Sequence, residues 1–511
     1  LAICNANIIT MNPQQPRAEA LTVRDGRIVA VGSWNDVALH AEGVTVLDLT
    51  GKTLMPGMID THAHFLWTAL SLAALDVSGA KDHPSLQAII RQAVADTPPG
   101  EPILGMGFTE YALDTARFSP IIHALDAVAP DNPVYLMGVT GHTSAANTRA
   151  LKLLAFPTDT PGVMRDADGH PNGLLADRAN NLAFAKFGES FGVDEKAAEM
   201  VGRAIETAHS MGITTLHALE GGIAGEDKAA EEFLATVPTL PLRFVFYYQT
   251  MDVDRVVKLG LPRIGGCILL DGDVGPHTAA FTEPYADNPE CYGTLYYTQK
   301  EVDTFVLKAH EAGLQVAMHA IGDAAIKQAL DAYEAALDAH PRDDHRHRIE
   351  HADLIREDQI QRAQRLGLAL AIQPPFNYYW PHTKYCATLG EERAWRADPF
   401  RAMINAGLLL AGGSDSTVTP LGPLIGVHAA VNHTNPAERL SVQEGLELYT
   451  INAARIAFQE ADRGSLKVGK LGDFVALAED PFEVDPGHIV DIPVEMTVIG
   501  GDVVYRRDEG A

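Results

Sequence analysis

His62 and His64 stand two residues apart at the end of Met58-Ile-Asp-Thr-His-Ala-His64, a segment that begins as an apolar strand. Residues two apart in a strand point to the same face. Both imidazoles therefore face one way, close enough together to share a metal ion. On its own an HxH pair is a common pattern, but here the placement recurs. His319 ends Val316-Ala-Met-His, His351 ends Arg348-Ile-Glu-His, and Asp415 follows Ala411-Gly-Gly-Ser-Asp. Each polar residue closes an otherwise apolar run. One such histidine reads as a satisfied core residue; four of them with an aspartate, at equivalent strand ends, read as a metal centre.

The elements that must position these residues alternate between strand and helix. Candidate strands cover 58–64, 214–220, 242–248, 267–271, 315–319, 348–352, 369–373 and 408–412. Between them, 302–312 and 324–337 repeat apolar residues every three or four positions, as helices do, and 357–366 does so more loosely. Eight strands alternating with helices point to the α/β class and a (β/α)8 TIM-type barrel, whose sites lie at the C-terminal rim of the strands. An open doubly wound sheet is the competing arrangement, but neither a GxGxxG nor a P-loop follows the first strand.

The two chain ends have a different pattern. Asp25-Gly26 between two apolar runs signals a hairpin, and short alternating strands return at 473–478, 494–499 and 503–505. Neither end has enough strands to stand alone. Residues 1–55 and 460–511 are therefore expected to form one small β-sandwich domain, leaving 56–459 as the barrel. About 150 residues separate the first and second barrel strands, too many for one connection. The stretch 65–210, with helices over 86–95 and 197–211, is expected to be an insertion domain at the barrel mouth.

Pro56-Gly-Met-Ile-Asp-Thr-His-Ala-His64, with His319, His351 and Gly413-Ser-Asp415, resembles the amidohydrolase superfamily. Asn132-Pro-Val-Tyr, Gly141-His142, Asn147-Thr-Arg-Ala-Leu151, Gly272, Thr278-Ala279 and Glu283-Pro-Tyr285 narrow the resemblance to the YtcJ-like branch (amidohydrolase 3), which includes N-substituted formamide deformylases. The resemblance implies that His62 and His64 hold a first metal, that His319 and His351 hold a second, and that Asp415 binds metal and carries protons. It implies zinc as the divalent metal, which brings the pKa of bound water to about 7. Many relatives carry a carbamylated bridging lysine on the fourth strand; Cys267 stands at that position here. Cys267 is either a thiolate ligand or a small buried filler. Without the lysine bridge, one tightly held ion is expected, with a second site uncertain.

Asn377-Tyr-Tyr-Trp-Pro-His382 follows the seventh strand, where Tyr378 and Trp380 could grip an apolar substrate or pack the insertion. His142 faces substrate by analogy with the family. His345 and His347 lie in a polar run and are expected in solvent. The net charge of -28 disfavours nucleic acid and anionic membranes as partners. A small-molecule substrate is expected; a homodimer is left open. Four scattered cysteines and an N-terminus without signal-peptide features suggest a reducing, cytoplasmic setting. Hydrolysis of an amide or formamide C–N bond is the leading function. Deamination of a heterocycle and a non-catalytic assembly role on the same barrel are the alternatives.

Overall fold

The computed structural model describes residues 1–108, 121–138, 141, 143–157, 160–191, 193–221 and 227–507. Eight strands run in parallel: β1 (Met58–Ala63), β2 (Ile213–Glu220), β3 (Arg243–Tyr248), β4 (Arg263–Leu269), β5 (Gln315–Ala320), β6 (Arg348–His351), β7 (Ala369–Ile372) and β8 (Leu409–Gly412). Each pairs with its neighbours in chain order. The ring closes where Ala63 bridges Ser416, with Asp415 N–H donating to His62 O at 2.7 Å and His64 N–H to Ser416 O at 2.9 Å. Every residue of β1, β2, β5, β6 and β7 is buried. Strands covered on both faces must be apolar almost throughout, which is why they read as continuous apolar runs. The barrel expected from the strand–helix alternation is the fold observed.

β4 begins at Arg263, four residues before the strand expected over 267–271, and so takes in Gly265 and Gly266. They lie inside the strand at φ 89 and 99. A side chain at Gly265 would meet the Ala317 carbonyl oxygen at 2.1 Å, and one at Gly266 would meet Leu219 at 2.6 Å. Glycine lets β4 pass this close to β5 and β2, at the cost of a register shift after Gly265. Cys267 follows directly.

Both chain ends contribute to a β-sandwich. One sheet orders Arg27–Gly32, Ala20–Arg24, Ala2–Cys4 and Val46–Asp48; the other orders Asp502–Arg506, Val494–Ile499, Phe474–Leu477, Thr53–Pro56, Asn7–Ile9 and Arg17–Ala18. Thr53–Pro56 joins the two ends, antiparallel to Phe474–Leu477 and parallel to Asn7–Ile9. Ile3, Leu21 and Ile28 of the first sheet share one apolar core with Ile8, Leu54, Phe474 and Val498 of the second. The Asp25-Gly26 turn has both φ positive (49 and 77), the type I′ geometry that suits strand twist.

The chain divides into two compact units: Leu1–His64 with Ile205–Gly221 and Ala229–Ala511, and Phe65–Ala204 with Gly222–Lys228. The second unit is the insertion after β1. It holds a mixed sheet ordered Val163–Arg165, Pro171–Ala176, Thr143–Ala146, Val134–Gly138, Ile103–Phe108 and Leu75–Asp76. Helix His83–Asp96 starts at a capping box between Asp82 and Ser85 and buries Leu86 and Ile90 in a core with Ile103, Leu125, Val134 and Leu136. No helix among the described residues is long and apolar enough to cross a membrane.

One expectation fails at the N-terminal end of the barrel. His345 and His347 are not solvated; they are 3% and 0% exposed. The polar run around them hid a hydrogen-bonded chain that only tertiary packing could form. Val316 N–H donates to His347 Nδ1 (3.0 Å), which leaves Nε2–H to donate to His310 Nδ1 (2.9 Å), whose Nε2–H donates to His340 O (2.6 Å). His345 Nδ1 accepts the His347 N–H (3.0 Å) and its Nε2–H donates to Leu366 O (2.8 Å). Burial holds all three imidazoles below their ordinary pKa, His347 furthest, with His345 and Arg342 adding to the effect there.

Candidate metal centre

At the opposite end of the strands, the rim residues converge. His62 comes from the end of β1, His64 follows it, Cys267 lies on β4, His319 on β5, His351 ends β6 and Asp415 follows β8. Strand alternation alone would not place them all. Arg348 and Glu350 are two apart and share a face, so His351 should point away. It has φ 69 and Ala352 φ 60, a left-handed turn that swings the imidazole to 4.8 Å from His62 and 4.5 Å from His319, ring centre to ring centre. Asp415 has φ 53. Non-glycine residues rarely adopt this conformation, and strain of this kind concentrates at functional sites. Gly413 precedes it because a Cβ there would lie 2.7 Å from His62 Cβ and from its backbone nitrogen.

Each histidine has one nitrogen committed to an oxygen. His62 Nδ1 lies 2.7 Å from Glu350 Oε2, His64 Nδ1 3.0 Å from Leu219 O, and His351 Nδ1 2.6 Å from Gln373 Oε1. In each case Nδ1–H donates, which leaves Nε2 as the nitrogen a cation can take. His319 is turned the other way: Nε2 lies 3.3 Å from Gly272 O and 3.5 Å from Asp271 Oδ1, and Nδ1 faces Cys267 Sγ at 3.6 Å. Asp271 is itself held by Ile321 N–H (3.0 Å) and by Gly322 and Ala280 N–H (both 2.8 Å).

The remaining atoms face one another. His62, His64 and Cys267 form one group with donor atoms all within 4.8 Å; Cys267, His319 and His351 form a second; His62, His351 and Asp415 form a third. Asp415 Oδ1 lies 3.3 Å from both His62 Nε2 and His64 Nε2. His62 Nε2, His351 Nε2 and Asp415 Oδ1 are buried without a hydrogen bond of normal geometry. Buried polar atoms left unpaired are costly. A divalent cation would satisfy all three, and a set of imidazoles, thiolate and carboxylate suits zinc and its neighbours. The residues fit the group.

The electrostatics agree. Burial would raise the pKa of Asp415, but the positive charge and hydrogen bond of His62, with His64 and His351, hold it well below the usual range. Burial would likewise raise the Cys267 thiol, and His319, His351 and His62 pull it well down. In return, burial would lower the imidazoles, yet Asp415 and Cys267 raise His64 to about 10 and hold His62 high, and Asp271 and Cys267 hold His319 high. Two buried anions demand positive charge at this spot, from protons or from metal.

The structure thus brings together His62, His64, His319, His351, Asp415 and Cys267. Tyr378 is 47% exposed, with ring contacts to Tyr379 and His428. Trp380 packs on Phe376, and Phe376 stacks on the His351 ring at 6.0 Å and 9°. His142 lies outside the described residues. Sequence reasoning missed Glu350, Arg348, Gln373 and Phe376. The first two carried a signal: two charged residues, alternately spaced, inside a strand otherwise apolar.

A parallel barrel with a buried metal-capable cluster at its C-terminal rim defines the class, a metal-dependent hydrolase. The chain belongs to the amidohydrolase family, whose sequence model matches residues 45–505. Within it the chain falls in the YtcJ-like branch: it is similar to YtcJ of Bacillus subtilis, at 31% identity over 98% of each chain. It is also similar to the N-substituted formamide deformylase of Arthrobacter pascens, at 27% identity over 99% of this chain and 98% of that one. Among solved structures it resembles an uncharacterized metal-dependent hydrolase from Pyrococcus horikoshii, with 27% identity, a TM-score of 0.78, and 95% and 99% of the two chains covered.

Proposed function

We propose that this protein hydrolyses a C–N bond in a small amide or N-substituted formamide, with Asp415 as the proton carrier. The observation that carries the reading is the position of Asp415: its Oδ1 is buried and lies 3.3 Å from the Nε2 atoms of both His62 and His64. The similarity to a formamide deformylase supports the substrate class. A bound divalent ion, zinc by the donor set, supplies Lewis acidity toward a carbonyl and acidifies water.

His62, His64, His319 and His351 hold the metal. Cys267 belongs to two of the three groups, so we assign its thiolate as a shared ligand rather than filler. One ion is held tightly among them, and any second ion more weakly. Asp415 takes the proton of the attacking water and returns it to the departing nitrogen, because an amine leaves readily only when protonated. Phe376 and Trp380, with Tyr378 at the outer edge, present aromatic surface to an apolar substituent.

The test is a screen of the zinc-loaded protein against N-substituted formamides, amides, esters, cyclic ureas and amino-heterocycles, with product analysis. Release of an organic amine with formate or a carboxylate is expected. Ammonia as the main product would move the assignment to a deaminase, and a fully metallated protein inert to every class would point to a non-catalytic role.

A further inference from the structure

Of the rim histidines whose Nδ1 meets an oxygen, one is backed by a carboxylate. His64 has a backbone carbonyl and His351 a side-chain amide, but His62 has Glu350. Glu350 is held in turn by Arg348 in a two-point grip: Nε to Oε1 at 2.8 Å and Nη2 to Oε2 at 2.6 Å. The same Nη2 donates to Thr61 O (2.9 Å), the carbonyl just before His62. Nη1 reaches His217 Nδ1 at 3.2 Å, and the guanidinium lies 4.4 Å from the Tyr247 ring centre. The side chains of His62, Glu350 and Arg348 have no solvent exposure.

A fully buried ion pair is a poor source of stability, since removing two charges from water offsets most of their attraction. Apolar residues would fill the middle of a barrel with less penalty. The pair is explained if its charge serves something else, and among the described residues the Glu350 carboxylate hydrogen-bonds to one side chain besides Arg348: His62, through the nitrogen that faces away from the metal centre.

We infer that Arg348 and Glu350 are positioning residues for His62. Glu350 accepts the Nδ1–H, which fixes the tautomer, aims the Nε2 lone pair at the centre and makes His62 a stronger imidazole donor than His64 or His351. Arg348 keeps the carboxylate in place and clamps the backbone at Thr61, so ring and main chain are located by one group. The inference rests on the reading of His62 as a metal ligand.

The probe is cobalt(II), titrated into apo-protein against a competing chelator and followed by its visible absorption. Glu350→Gln is expected to weaken the hold on the tight ion by about 10–100-fold and to shift the absorption bands, with Gln373→Leu changing both less. If Glu350→Gln fails to fold because Arg348 is left unpaired, the double variant Arg348→Met/Glu350→Gln removes the stranded charge and is expected to show the same loss. A folded variant that binds cobalt with parental affinity and spectrum overturns the inference and leaves the pair a structural filler. A parent protein that binds no cobalt overturns the ligand reading beneath it. Nitrogen-15 spectra of histidine-labelled, zinc-loaded parent need no variant: the His62 proton is expected on Nδ1, and a proton on Nε2 overturns the proposal.

Discussion

Two histidine clusters occupy opposite ends of one barrel. At the C-terminal rim, His62, His64, His319 and His351 each commit one nitrogen to an oxygen and turn the other toward Cys267, Asp415 and one another. At the N-terminal end, both nitrogens of His310, His345 and His347 are used, in a chain that ends on backbone carbonyls. Burial is nearly the same in both. The difference lies in whether the donor–acceptor count closes. It closes with protein groups alone at one end, and at the other it leaves buried atoms unpaired beside two anions. Residue type and burial do not tell the two clusters apart; an open nitrogen facing an anionic neighbour does.

The largest effect that tests this contrast is at Asp415. Asparagine matches its size and tolerates the left-handed backbone (φ 53), but it cannot take a proton. Asp415→Asn should lower turnover roughly a hundredfold or more while the urea midpoint of the metal-loaded protein stays put. Turnover within a few-fold of the parent at equal metal content would break the assignment of the rim as the chemical end.

At the other end the expected loss is stability. His347→Ala removes the acceptor for Val316 N–H and the donor to His310, and leaves a gap beside Tyr333, on which the ring stacks at 5.2 Å and 10°. Unfolding free energy should fall by about 2–4 kcal/mol, with bound zinc per folded chain unchanged. Loss of metal in a folded His347→Ala protein would show that the two ends are not independent.

A smaller effect concerns pH. His310, His345 and His347 all have folded pKa values below the ordinary 6.5. Below that value the unfolded chain binds more protons than the folded one, so stability is present above it and is lost as pH falls toward the folded values. The urea midpoint of the zinc-loaded protein should drop between pH 7 and pH 5, and the drop should be shallower in His347→Phe, which keeps the stacking and loses the titrating ring. An identical slope in the variant would remove this cluster from the acid response.

Much of this was legible in the sequence. A parallel strand covered on both faces must be apolar almost throughout, so the eight strands announced themselves, and polar residues at their ends named His62, His64, His319, His351 and Asp415. Turn chemistry at Asp25-Gly26 marked the sandwich hairpin, because a type I′ turn requires positive φ. The early start of β4 was not legible: Gly265 and Gly266 serve close approach between strands, which depends on what lies across the gap.

What the sequence by itself determined, then, is which residue types sit at which strand ends, since periodicity and covalent order alone settle that. Only the tertiary structure decided how each is used. The left-handed turn at His351, the position of Cys267 in two ligand groups, the carboxylate behind His62 and the closed chain through His310, His345 and His347 all join residues distant in sequence. Hydrogen-bond satisfaction belongs to the whole packed neighbourhood, and a nitrogen is free or engaged only with respect to atoms that the linear chain does not place beside it.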